Sequence, residues 1–189
     1  MSKVDLSLKI FETTINLQTS EHGKIGKALS RGLVKQIEDV CQVFSMFFQE
    51  EKLDGLKPLH FSASHICLNL DFCSDETIQV LNAQYRGKDK VTDVLSFPVH
   101  EDLRLNVDPM VLKSEMLLIG DIFICENVAI NQAKEAKISL ETEIIELFIH
   151  GVLHLLGYDH EASEDEEKIM YSIERDIFNS YTNRVEGEK

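Results

Sequence analysis

Hydrophobic positions along this chain alternate in some segments and recur every three to four residues in others, and each change of period marks a change of element. Over the first 18 residues, Leu6, Leu8 and Ile10 alternate with polar residues before Ile15 and Leu17, the pattern of a strand. From near Lys24 to Glu50 the spacing becomes helical and predicts a long amphipathic helix. Alternation returns in HFSASHICLNL, a second strand with His60 and His65 in or beside it. Ser74 then caps a short helix through ETIQVLNAQYR that ends at Gly87. VTDVLSFPV and MLLIGDIFIC follow as strands separated by a loop around Asp102 to Ser114, and the second is apolar almost throughout, as a buried strand is. NVAINQAKEA, SLETEIIELFIHGVLHLLG and a last segment from about Ser163 to Tyr181 read as helices. This order predicts an α+β fold with one mixed β-sheet packed against helices. No repeat or Gly/Ser linker divides the chain, so residues 1–189 are read as one domain, with 182–189 as a flexible tail.

The helix ending in IHGVLHLLGYDH concentrates the chemistry. At about 100° per residue, Ile144, Ile145, Phe148, Ile149, Val152, Leu155 and Leu156 fill one half of its wheel and face the core. His150 and His154, four apart, share a stripe on the other side with Glu143 and Glu146, flanked by Leu147 and Leu153. Two histidines on the wet face of an amphipathic helix would fit that pattern as well as a metal site would. The third histidine alters the balance. Gly157 is a helix terminator that can adopt the left-handed conformation and reverse the chain, and His160 follows on the returning segment. His150, His154 and His160 would then converge on one Zn²⁺ per chain, on the central C-terminal helix and its following loop. Three imidazoles leave a fourth position open, which is the donor set of a catalytic rather than a structural zinc. HxxxHxxGxxH is also the spacing of metzincin peptidases, but their glutamate general base is replaced here by Gly151. A glycine inside a helix serves close packing or leaves room for substrate beside His150.

Charge and composition narrow the classes. The formal charge is −14, from 33 acids against 19 bases, which opposes non-specific attraction to a polyanion. Part of the excess is HEASEDEEK, where Ser163 and Glu166 form a capping box and the first-turn acids suit the helix dipole. No apolar run approaches the roughly 18 residues of a membrane span, and the N-terminus lacks the apolar core of a secretory signal, which points to the cytoplasm. The four cysteines, Cys41, Cys67, Cys73 and Cys125, form no CxxC pair and read as reduced, buried thiols.

HGVLHLLGYDH, together with LNAQYRGKDKVTDVLSFP and IGDIFIC, resembles the YbeY family of bacterial metal-dependent endoribonucleases. The resemblance covers roughly His60 to Phe178. It implies an α+β fold, zinc held by His150, His154 and His160, and cleavage of single-stranded RNA. It further implies roles in maturing the 3′ end of small-subunit ribosomal RNA and in ribosome quality control. The expected partner is thus single-stranded RNA, ribosomal RNA or the small ribosomal subunit, with no DNA and no membrane. Arg86 matches the arginine that the family places beside the metal, whereas Val91 stands where a proline is usual. On chemistry alone a guanidinium suits bidentate phosphate binding, although an arginine before Gly87 could equally satisfy helix carbonyls. Lys88 and Lys90 make this turn a positive patch, and Asp93 and Asp121 are candidate partners for a ligand histidine. Two other readings are a non-catalytic ribosome-assembly factor stabilised by metal and, with its base missing, a metzincin-like metallopeptidase.

Overall fold

The computed structural model describes residues 4–6, 14–19, 31–49, 65–100, 103–104 and 116–187. Their order is β1 (Val4–Leu6), β2 (Thr14–Thr19), α1 (Arg31–Gln49), β3 (His65–Cys73), α2 (Asp75–Arg86), β4 (Val94–Pro98), β5 (Met116–Cys125), α3 (Glu126–Ala136), α4 (Leu140–Leu155) and α5 (Glu164–Gly187). The strands form one sheet in the order β1-β2-β3-β5-β4. Its middle, β2-β3-β5, is parallel, while β1 and β4 join antiparallel at the margins. The expected α+β fold with one mixed sheet is therefore the observed one.

Alternation explains which face the sheet buries. Ile66, Leu68, Leu70 and Phe72 of β3 and Ile122 and Ile124 of β5 lie in the main core with residues of α1, α4 and α5. On the other face Cys73, Leu95, Cys125 and Ile78 form a smaller cluster under α2. All four cysteines are buried and free. Burial pushes the Cys73 thiol up to about 12 and the Cys125 thiol up to about 11, so both stay protonated and unreactive at neutral pH. No described helix is long and apolar enough to cross a membrane.

Three expectations are corrected. The opening segment is two strands, not one: Val4 pairs with Leu17 and Leu6 with Ile15 in antiparallel register. Eighteen extended residues would span roughly 60 Å, far beyond neighbouring strands of nine and ten residues. Second, α5 continues to Gly187, so 182–187 is helical rather than a tail. Val185 packs on the core, and the Arg184 guanidinium reaches Gln42 and Asp39 of α1, which holds the last turns down. Third, the narrow polar stripe of α4 is narrower still: Glu143 is buried, as are Leu147, Gly151 and Leu153, along with the predicted apolar half. Helix α4 packs against β4, β5, α1, α3 and α5, so neighbours cover almost its whole circumference. Residues 7–13, the helix start at 24–30, Glu50, His60 and most of the Asp102–Ser114 loop lie outside the described residues.

Candidate metal centre

Helix α4 begins at Ser139, whose side chain accepts a hydrogen bond from the Thr142 N–H at 3.0 Å. It ends as the sequence predicts. The Gly157 N–H donates to the His154 carbonyl at 3.1 Å and the Tyr158 N–H to the Leu153 carbonyl at 3.0 Å. This pair of bonds is a Schellman cap, and it requires the left-handed turn seen at Gly157, φ 101°. Tyr158 is then buried, with the Arg104 guanidinium 4.7 Å above its ring, and the chain returns toward the helix.

That return brings three imidazoles together. His150, His154 and His160 each offer a ring nitrogen, and the three atoms lie within 4.8 Å of one another. The Nε2 atoms of His150 and His154 are 3.1 Å apart. Two ligands on one tetrahedral Zn²⁺ with bonds of 2.0–2.1 Å would be about 3.3 Å apart, so the spacing suits a shared ion. Burial, with His150 and His160 close by, lowers the His154 pKa to about 4, so this ring keeps its lone pair at neutral pH.

Helix α5 supports the cluster, through residues that the sequence reading missed. Glu174 Oε1 lies 3.3 Å from His150 Nδ1, opposite the converging Nε2. A carboxylate on the distal nitrogen fixes the tautomer and makes the ring a better ligand. Tyr171 stacks on His160 at 5.9 Å with 17° between the ring planes. Three positions apart, Tyr171 and Glu174 share one helix face; no local pattern reveals that this face meets the histidines. The α5 start is half of the expected capping box. The Glu166 N–H donates to Ser163 Oγ at 3.2 Å, but the Glu166 carboxylate accepts from Arg104 at 2.7 Å.

The two aspartates considered as histidine partners are engaged elsewhere. Asp93 accepts from Gln132, Thr92 and the Val94 N–H, bonds that outweigh its burial and lower its pKa. Asp121 accepts from Asn69 across the β3–β5 register, beside Asp71. Burial and the Asp121 charge push the Asp71 carboxyl up to about 6.

Gly151 is explained by packing. A Cβ there would meet the Ile122 side chain at 3.0 Å and Ser96 Oγ at 3.2 Å. Ser96 Oγ also donates to the Gly151 carbonyl at 3.2 Å, which ties α4 to the edge strand β4. The position has no room for a glutamate base, so the metzincin arrangement is absent.

Arg86 ends α2, which Ser74 caps at its start and Gly87 closes in a left-handed conformation. Its Nη2 lies 3.2 Å from Glu161 Oε2, and Lys88 Nζ lies 3.6 Å from Glu161 Oε1. Glu161 follows His160, so the fold brings Arg86 to the loop that carries His160, across a separation of 75 residues. The guanidinium thus turns toward this loop rather than onto the carbonyls of its own helix.

Comparisons with known proteins supply relatives of the chain. The sequence profile of the family described as Endoribonuclease YbeY matches residues 33–182. A Persephonella marina protein named Endoribonuclease YbeY is 43% identical over 119 residues, 63% of this chain and 72% of the relative. One of the same name from Halalkalibacterium halodurans is 46% identical over 116 residues, 60% of this chain and 71% of the relative. Among solved structures, a Thermotoga maritima protein determined in solution is similar with a TM-score of 0.53, at 27% identity over 93% of each chain.

Proposed function

The chain belongs to the Endoribonuclease YbeY family, and from that premise we propose that it is a single-domain, zinc-dependent endoribonuclease acting on single-stranded RNA. Its substrate in this reading is ribosomal RNA, at the 3′ end of the small-subunit species, and its place of action is the cytoplasm. His150, His154 and His160 hold one Zn²⁺, and Arg86 holds the scissile phosphate.

The observation that carries this reading is the convergence of three imidazole nitrogens within 4.8 Å. The donor set fits: His154 is neutral, His150 has a carboxylate behind it, and three nitrogens leave a coordination position for substrate. When bound, the ion would polarise a phosphoryl oxygen and lower the pKa of water. Glu174 orients His150, and Tyr171 limits rotation of the His160 ring. Arg86 is paired with the Glu161 carboxylate, which stands where an anion is held by this guanidinium. A phosphodiester replacing that carboxylate would offer two oxygens to the planar guanidinium, a contact that strengthens as negative charge develops in the transition state.

The test is cleavage of a single-stranded oligoribonucleotide by zinc-replete protein. Cleavage should disappear on chelation, return with Zn²⁺, and leave the far-ultraviolet circular dichroism unchanged throughout. A zinc-replete, folded sample that leaves both the oligonucleotide and precursor ribosomal RNA intact would favour the non-catalytic assembly factor instead.

A further inference from the structure

Tyr85, in the last turn of α2, is 62% exposed. It is not a loose side chain. Its ring meets Phe97 of β4 at 5.1 Å and 67°, and Phe97 meets Phe123 of β5 at 5.7 Å and 78°. Three aromatic rings thus run from the small core under α2 out to solvent, and the outermost is held by the two behind it. Val99, just past the end of β4, is also exposed.

The surroundings of this ring suggest what it meets. Arg86 is its chain neighbour, and Lys88 and Lys90 follow in the same turn, all exposed. Arg86 and Lys88 both reach Glu161, next to His160. On the other face of β4, Ser96 bonds the carbonyl of Gly151, next to His150. Tyr85 and Gly151 of α4 thus lie on opposite faces of the same edge strand, and Arg86, next to Tyr85, reaches Glu161, next to His160. A rigid, exposed aromatic ring beside a few cations, on a chain of net charge −14, suits a ligand with both a flat π-face and a phosphate.

We propose that Tyr85 is a nucleobase-stacking subsite, which receives a base of single-stranded RNA next to the phosphate held by Arg86. This rests on the endoribonuclease reading and adds a determinant of where the strand lies. A stacked base has no required hydrogen-bond edge, so the subsite demands an unpaired base without choosing among the four. A duplex keeps its bases stacked on one another and does not offer one to the ring, so this subsite contributes to single-strand preference.

The test uses the full-length, zinc-loaded chain and single-stranded oligoribonucleotides in which one nucleotide at a time, on either side of the cleaved bond, is made abasic. Tyr85→Phe and Tyr85→Trp should bind and cut like the unaltered protein. Tyr85→Leu, which preserves an apolar contact with Phe97, should lose affinity by roughly 5- to 150-fold, the range measured for base–aromatic stacking. Its zinc content and thermal midpoint should not change. One abasic position should impose a similar loss on the unaltered protein and almost none on Tyr85→Leu. Equal binding by Tyr85→Leu and Tyr85→Phe, or an abasic loss that persists undiminished in Tyr85→Leu, overturns the proposal and leaves the ring as a contact for a protein partner. If the unaltered zinc-loaded chain neither binds nor cuts any of these RNAs, the endoribonuclease reading fails and this proposal fails with it.

Discussion

At Arg86 the proposed function predicts a large effect on chemistry and a small one on stability. Its ion pair with Glu161 joins two half-exposed groups, a kind of pair that contributes about 1 kcal/mol or less. Arg86→Ala should therefore keep its zinc and its melting temperature while kcat falls by roughly 10²–10³, the cost of removing one donor to a developing negative charge. Arg86→Lys should recover only part of the rate, because an ammonium cannot reproduce a planar two-bond contact. Single-turnover cleavage beside equilibrium RNA binding would separate these effects. His154 has a different signature. Its folded pKa of about 4 lies below the unfolded value of about 6.5, so the unfolded chain binds more protons between those limits. Stability present above pH 6.5 is then lost as the pH falls toward 4. In metal-free protein, the urea midpoint should drop through that window, and the slope should flatten in His154→Gln. An equal slope in both proteins would assign the acid sensitivity to other groups.

At the scale of elements, the site is a turn and a helix acting on α4. The turn depends on φ 101° at Gly157, where a Cβ costs roughly 1–2 kcal/mol. Gly157→Ala should lower stability by about that amount and weaken zinc binding, because the turn delivers His160. Competition against a chromophoric chelator reads the affinity, and zinc affinity equal to the unaltered chain would show that His160 reaches the cluster without this turn. Helix α5 contributes Glu174. Removing a carboxylate behind a ligand histidine typically weakens metal binding 10- to 100-fold, so Glu174→Ala should do so, and Glu174→Gln, which can still accept from Nδ1, should lose less. A merely structural Glu174 would change the melting temperature of the metal-free protein in both variants and leave the relative zinc affinities alone.

The whole molecule sets the electrostatic character of RNA binding. With a net charge of −14 and Arg86, Lys88 and Lys90 as the cations of the turn after α2, that turn offers about three phosphate contacts. A single strand loses about 0.7 in slope per neutralised phosphate, so log affinity against log salt should fall with a slope near −2. A slope of −5 or steeper would mean that a larger basic surface, beyond this turn, grips the strand. Excess negative charge elsewhere on the molecule disfavours non-specific RNA and leaves recognition to the site.

Hydrophobic period was enough to read β3, α2, β4, β5 and the three C-terminal helices, since alternation and the 3.6-residue repeat are local properties of the chain. The convergence of the three histidines was equally legible, because two of them share a helix stripe and the third follows a glycine whose left-handed geometry depends on one residue. Tertiary structure alone decided the rest. The opening alternation could not reveal that the chain doubles back into β1 and β2, because strand pairing is a long-range choice. Glu143 belonged to a polar stripe flanked by Leu147 and Leu153, yet all three are buried because neighbouring elements pack on α4. Gly151 left two explanations open until Ile122 and Ser96 were found against it. Glu174 and Glu161 carry no local signature at all. Each meets the candidate site through a contact with a residue far along the chain, Glu174 24 residues after His150 and Glu161 75 after Arg86, and such contacts arise from packing between elements, which no local period encodes.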